Sequence, residues 1–345
     1  MKTENNFDGI RLLLAVIVVF VHTATLTGAP EFRFWRPLLS SDFAVKGFFA
    51  ISGFLVTKSY LTSNSLTEYF EKRIRRIFPA YCVIVVCCFL LGALVTKLGL
   101  MDYLSSTKTW KYLISNLVFA NFLQPTLPGV FEDNREPFLN GALWTIKVEV
   151  CLYFVLPGIL LAFRSFKPLY VTVVAYLLSV AWYLAMQKMI PQGGYYKELS
   201  VQFPTQLSYF VVGAYLAYAK PSALSLRLLA LFSAFAFVIG TYLGFRPVVE
   251  PLFYGAFTLF LATGLPWKLY SGKYGDFSYG VYLVHFPIIQ TLIYLGAFSH
   301  SPFFGLAITL PLVALAAVLM WHFVEKGFLK RTTLELHSPY AKPVG

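Results

Sequence analysis

The chain has 345 residues, 58% of them hydrophobic and only 13% charged, with a mean hydropathy of +0.67. An average soluble domain carries roughly 25% charged residues, so this composition excludes an ordinary soluble protein and points to the lipid bilayer. The net charge of +12 does not single out a nucleic-acid partner, because the basic residues gather in connections between apolar runs, where they act as topology signals.

A bilayer core about 30 Å thick requires roughly 20 apolar residues per helical crossing. In chain order, spans are expected near residues 10–27, 43–61, 78–97, 143–163, 169–187, 203–219, 227–243, 248–266, 277–297 and 303–324. The expected fold is therefore all-α integral membrane, with about ten transmembrane helices. A helix satisfies its own backbone polar groups inside lipid. A β-barrel would instead show short alternating strands.

Lys and Arg concentrate in alternate connections, "TEYFEKRIRRIFP", "RSFK", "KPSALSLR", "KLYSGK" and "EKGFLKR", which puts these and both termini in the cytoplasm. The longest connection, 98–142, has mixed charges, as in "GVFEDNREPFLNG", and faces the opposite side. Residues 1–330 are expected to form a single transmembrane domain and 331–345 a short cytoplasmic tail, with no cleavable leader. Cys82, Cys87, Cys88 and Cys151 all fall inside expected spans, so no disulfide framework of the secreted type is expected.

An ionisable side chain within the bilayer costs a few kcal/mol even on the mildest scale, so each one calls for a partner or a purpose. Those expected at membrane depth are Arg11, His22, Lys46, Lys147, Glu149, His285 and His322. Arg11 and His22 lie about 20° apart around one helix, a shared face that suggests a polar path. A lone histidine in a span is as often a hydrogen-bonded packing residue; the shared face favours function. Glu149 reaches a depth comparable with His22, where a carboxylate would orient the imidazole. His285 is expected at a different depth, nearer the cytoplasm. Arg73 and Arg76 sit three residues apart in "EKRIRRIFPAY", presenting two planar forks suited to phosphate on what is otherwise a topogenic cluster. The aromatic residues mostly reflect interfacial belts and packing, with stacking on sugar rings the alternative for Trp110 and Tyr112.

Four stretches together resemble the integral-membrane acyltransferase family 3, and the resemblance covers the whole chain. "FDGIRLLLAVIVVFVH" is similar to the family's opening at Asp8, Gly9, Arg11 and His22. "FFAISGFLV" resembles its second motif at Phe48, Phe49, Ser52 and Gly53, and "KRIRRIFPAY" its third at Arg73, Arg76, Ile77 and Pro79. "NGALWTIKVEVCLYFVLP" is similar to its fourth at Trp144, Ile146, Glu149 and Tyr153. "SYGVYLVHFPI" and "VEKGFLK" look like its closing spans, although Gly327 stands where proline is common. The soluble esterase-like domain that some members carry on the outer side is not expected here.

The resemblance implies a bacterial inner-membrane enzyme that O-acylates a surface or secreted glycan, taking the acyl group from cytoplasmic acyl-CoA, by default acetyl-CoA. On that reading His22, Glu149 and Arg11 are catalytic. Arg73, Arg76, Asp8, Ser52 and His285 bind the donor, and Trp144, Tyr153 and Asn140 bind the acceptor. Ser52 has an alternative role in helix packing. His22 serves either as general base or as a nucleophile forming an acyl-imidazole. No metal, bound cofactor or nucleic acid is expected; membrane lipid, acyl-CoA and glycan are the partners, with a further protein possible on the outer side. The alternative is a multi-pass transporter or flippase of a glycan or lipid, which would often show internal pseudo-repeats.

Overall fold

A computed structural model of the protein describes residues 6–35, 38–265 and 275–329, so the expected tail at 331–345 and the whole of "KLYSGK" lie outside the described residues. In chain order the helices are α1 (Phe7–Thr27), α2 (Ser41–Leu61), α3 (Leu66–Val95), α4 (Leu100–Ser105), α5 (Thr107–Leu117), α6 (Trp144–Ser165), α7 (Pro168–Met189), α8 (Tyr196–Leu199), α9 (Phe203–Ala219), α10 (Ala223–Tyr242), α11 (Arg246–Leu259), α12 (Ser278–Tyr294) and α13 (Pro302–Met320). A π turn over Phe260–Gly264 extends α11, and another over Trp321–Glu325 extends α13. No strand occurs among the described residues. The four cysteines are unbridged.

Among the described residues, seven helices are long and apolar enough to cross a membrane: α1, α3, α6, α7, α10, and α11 and α13 with their π turns. The other three expected spans correspond to α2, α9 and α12. The last two have only 17 residues each, and α2 carries Asp42, Lys46 and Lys58. These helices are extensively buried within the protein, so their surroundings are side chains more than lipid and their composition is freer to be polar.

Two segments depart from expectation. The third helix begins at Leu66, twelve residues before the expected span, because the Ser65 hydroxyl accepts the Glu68 N–H at its start and the pairs Lys72–Glu68 and Arg75–Glu71 lace its polar first turns. With 30 residues it is about 45 Å long, more than the hydrocarbon core requires. The connection 98–142 is also partly helical. Its α5 packs on α3, with Tyr81 donating to the Asn116 carbonyl at 2.9 Å. Tyr112 is 1% exposed and therefore part of this core rather than a ring offered to sugars. Trp110 stays half exposed, its indole N–H donating to the Leu104 carbonyl.

The chain forms two compact units that interleave in sequence. One comprises the described residues of Met1–Val21, Trp35–Ser63 and Trp144–Tyr274; the other comprises those of His22–Phe34, Asn64–Leu143 and Gly275–Gly345. The first unit is built on the pair α2 and α9, which cross with backbones nearly touching. A Cβ at Gly53 would fall 2.0 Å from the Phe210 carbonyl oxygen, and one at Gly213 would fall 2.0 Å from that of Ala50. Small residues that allow such approach are the usual cement between membrane helices. Gly213→Ala and Gly53→Ala are each expected to destabilise the protein by about 1–3 kcal/mol through overpacking. Thermal unfolding in detergent checks this, and a Gly213→Ala protein with unchanged midpoint contradicts the crossing. In the second unit α12 packs against α13, α3 and the 3₁₀ turn Gly141–Leu143.

Candidate active site

The second unit brings together two histidines from distant parts of the chain. His22 lies in the last two turns of α1, and its Nδ1 is 2.7 Å from Nε2 of His285 on α12. The rings stack with centroids 5.0 Å apart, and Phe286 closes edge-on against His22 at 5.5 Å. His22 is half-buried, while His285 is fully buried. On its far side the Nδ1 of His285 meets the Val281 carbonyl, one helical turn back, at 3.2 Å.

A carbonyl cannot donate, so Nδ1 of His285 carries the proton and its Nε2 presents a lone pair. That lone pair accepts from Nδ1–H of His22. The bonding pattern thereby assigns both tautomers and leaves Nε2 of His22 unprotonated.

The expectation that His285 lies apart from His22 in depth is therefore corrected. It counted residues from each span's own end, which assumes that all spans start in one plane. The 2.7 Å separation of Nδ1 of His22 and Nε2 of His285 puts the two rings at one level.

Asn140 holds this arrangement from the side. Pro287 lies within α12 and has no N–H, so the carbonyl of Leu283 loses its helical donor. The Asn140 Nδ2 donates to it at 2.9 Å, while the Asn140 Oδ1 accepts the Ala142 N–H at 3.2 Å. Each end of the amide is thus bonded to protein, and Asn140 props α12.

In the first unit Glu149 gathers two of the other expected site residues. Its Oε1 accepts from the Ser52 hydroxyl at 2.9 Å and from the Tyr153 hydroxyl at 2.5 Å. Glu149 and Tyr153 are one turn apart on α6, so they share a face, and Ser52 comes from α2. The carboxylate expected to orient His22 is thus itself held by a serine and a tyrosine, and the group seen bonded to the His22 ring is His285. Removing both donors leaves a half-buried carboxyl with neither bond, so Ser52→Ala with Tyr153→Phe is expected to cost about 1–3 kcal/mol. A double variant that melts with the parent protein would show that the bonds contribute nothing. Asp8 and Arg11 are half-buried one turn apart on α1, and Trp144 opens α6.

The paired arginines differ from each other. Arg76 does not present its fork to solvent: its guanidinium pairs with Asp276 and lies 3.5 Å from Glu325, whose side chain is 2% exposed. Its Cζ also sits over the Tyr279 ring at 5.8 Å. Its expected place on an open phosphate-binding face is corrected accordingly. Arg73, one turn earlier on α3, is half-buried. Asp276 and Glu325 were not singled out from sequence, although an aspartate directly before an apolar run and a glutamate beneath one were the available signals.

Comparison with known proteins agrees with the order of these motifs. The profile of an acyltransferase domain, that of family 3, matches residues 4–322. The chain is 32% identical to nodulation protein 10 of Rhizobium leguminosarum bv. viciae, covering 96% of this chain and 95% of that protein. It is 26% identical to an O-acetyl transferase of Shigella phage Sf6, covering 97% of this chain and 99% of the phage protein. An uncharacterized protein of Haemophilus influenzae is 26% identical over 46% of this chain and 62% of its own length. No solved structure matches. Because the profile spans the chain from the start of α1 to the end of α13, and with it all four motif stretches, this protein belongs to the integral-membrane acyltransferase family 3 and is a multi-pass membrane acyltransferase.

Proposed function

We propose that the protein is a ten-span O-acyltransferase of the bacterial inner membrane, with both termini cytoplasmic, that transfers an acyl group from cytoplasmic acyl-CoA to a hydroxyl of a surface or secreted glycan. Acetyl is the favoured acyl group, since a relative that aligns over nearly its full length is named an O-acetyl transferase. The basic clustering in "EKRIRRIFP" and "KPSALSLR" supports the sidedness.

The observation that carries this reading is the His22–His285 pair. Acyl transfer to a hydroxyl needs a group that removes the hydroxyl proton as oxygen attacks, or one that first takes the acyl group itself. Nε2 of His22 suits either role. In direct transfer the sugar oxygen bonds to the thioester carbon, the hydroxyl proton passes to Nε2, and the C–S bond breaks to release CoA, which takes up that proton. In the two-step route Nε2 bonds to the thioester carbon and the C–S bond breaks, releasing CoA as thiolate; the sugar oxygen then bonds to the acyl carbon, the bond from that carbon to Nε2 breaks, and the hydroxyl proton passes by way of Nε2 to the thiolate. In both routes the positive charge that develops on His22 is stabilised through Nδ1–H by the lone pair of His285, itself anchored on the Val281 carbonyl.

Arg73, half-buried one turn before Arg76 on α3, is the contact proposed for the CoA phosphates. Arg11 and Asp8 precede His22 on α1 and line the donor's approach from the cytoplasm. Glu149 is proposed to act in catalysis with Ser52 and Tyr153 as its hydrogen-bond donors, and Trp144 to serve the acceptor.

The test is direct. Purified protein is given isotopically labelled acetyl-CoA, and surface glycan from cells with and without the gene is compared by mass spectrometry. A glycan mass difference of one acetyl group per modified unit is expected. Unchanged glycan, together with no consumption of acetyl-CoA, rejects the reading.

A further inference from the structure

In the second unit the stretch "NREPFLN", residues 134–140, is strapped along α12. Gln290 fastens one end of the strap. Its side chain is fully buried, and its Nε2 donates to the carbonyls of Glu136 at 2.5 Å and Phe138 at 2.7 Å. The Asn134 Nδ2 donates in turn to Oε1 of Gln290 at 3.0 Å and to its carbonyl at 3.1 Å. The bond from Asn140 to the Leu283 carbonyl fastens the other end. His285 and Phe286 stand between these two anchor points on α12.

Arg135 lies between the two residues bound at Gln290, so its backbone is held from both sides. Its side chain reaches the chain end of α1. Gly28 there adopts φ +66°, which glycine takes without strain, and a Cβ on it would collide with Nη1 of Arg135. The guanidinium thus rests in a place that a glycine leaves open. At helical rise Gly28 is about 9 Å beyond His22 and Gln290 about 7.5 Å beyond His285. Because one strap touches both, the guanidinium sits past the same end of the histidine pair.

Arg135 is exposed and makes no hydrogen bond or ion pair among the described residues. The acids beside it in sequence are engaged elsewhere. Asp133 pairs with Lys97 at 2.5 Å, and Glu132 accepts the Gly129 N–H at 3.1 Å, both against the chain that leaves α3. Glu136 is bound through its carbonyl, and its carboxylate does not reach Arg135 either. A planar fork fixed beside the site and left without a carboxylate matches a carboxylate or a phosphate brought by a ligand.

We infer that Arg135 is a specificity-determining residue of the acceptor site, its guanidinium taking a negatively charged group of the glycan, either the carboxylate of an acidic sugar or a phosphate attached to the chain, while a hydroxyl of a neighbouring unit reaches His22. The inference rests on the glycan reading and on its sidedness, under which the strap faces away from the cytoplasm.

The experiment measures binding separately from catalysis. Full-length protein in nanodiscs is applied to a printed array of neutral, uronic-acid-containing and phosphorylated oligosaccharides of equal length, alongside Arg135→Gln and Arg135→Lys, each verified as folded by thermal unfolding. The parent protein is expected to favour one or both charged classes; the class retained tells carboxylate from phosphate. Arg135→Gln should weaken that retention about 10-fold or more, the loss of one charge-assisted contact, and leave neutral glycans unaffected. Arg135→Lys should fall between, since it keeps the charge without the fork. In transfer assays the same loss should appear as a raised acceptor KM, with kcat and acetyl-CoA KM little changed, a split that a merely structural residue would not produce. A parent that prefers neutral glycans or binds none, or an Arg135→Gln protein that retains charged glycans fully or loses charged and neutral ones alike, would overturn the inference. Charged-glycan retention that depends on Arg135, in a protein that transfers no acyl group to glycan, would uphold the site while removing the reading of the reaction.

Discussion

His22→Gln and His22→Asn are expected to yield folded protein whose transfer to glycan falls by about 10²–10⁴-fold, the usual cost of losing a general base. Either amide can still donate to the lone pair of His285, so the contact that now measures 2.7 Å has a substitute. Neither can accept a proton near neutral pH or carry an acyl group as imidazole does. His285 is a positioning residue and behaves differently. His285→Gln keeps an acceptor for Nδ1–H of His22 and should retain part of the rate, whereas His285→Leu removes it and frees the His22 tautomer, so its kcat should fall further with donor KM little changed. Initial rates with labelled acetyl-CoA and isolated glycan read out both series. Near-native transfer by either His22 amide would make the histidine structural. Equal loss in His285→Gln and His285→Leu would mean that the pair does not act through hydrogen bonding.

Hydropathy made the apolar helices legible, since the free energy that places them is additive along a window of sequence. The same additivity hid the polar extension of α3. Residues Leu66–Ile77 are helical because of the Ser65 cap and the pairs Lys72–Glu68 and Arg75–Glu71, which no sum of hydropathies contains. Individual site residues were legible as energetic anomalies: a histidine, a glutamate or an arginine in an apolar run must be explained. Their partners were not. His285 and His22 are 263 positions apart, and their contact depends on how α12 is held, to which the Arg76–Asp276 pair at its head contributes. Asn140 was noticed beside Trp144, but its task follows only from the carbonyl that Pro287 leaves vacant on a helix more than a hundred residues later.

That dependence makes Arg76→Ala the substitution with the largest expected effect on stability. The guanidinium serves Asp276 at the head of α12 and Glu325 in the π turn after α13, both largely buried, so its removal takes a shared cation from two carboxylates. Breaking a buried ion pair from one side typically costs about 3–5 kcal/mol, and here the loss also loosens the helix that carries His285. Arg76→Lys retains the charge but lacks the planar fork that reaches two carboxylates at once, so it should fall between the parent and alanine. A triple variant adding Asp276→Asn and Glu325→Gln removes the two buried carboxylate charges and should recover much of what Arg76→Ala loses, which a purely donor-binding arginine would not predict. Thermal unfolding in detergent measures the first effect, and the acetyl-CoA KM measures the alternative. An Arg76→Ala protein with unchanged melting and a raised KM would return the residue to the donor site and dissolve the link between Arg76 and the histidine pair.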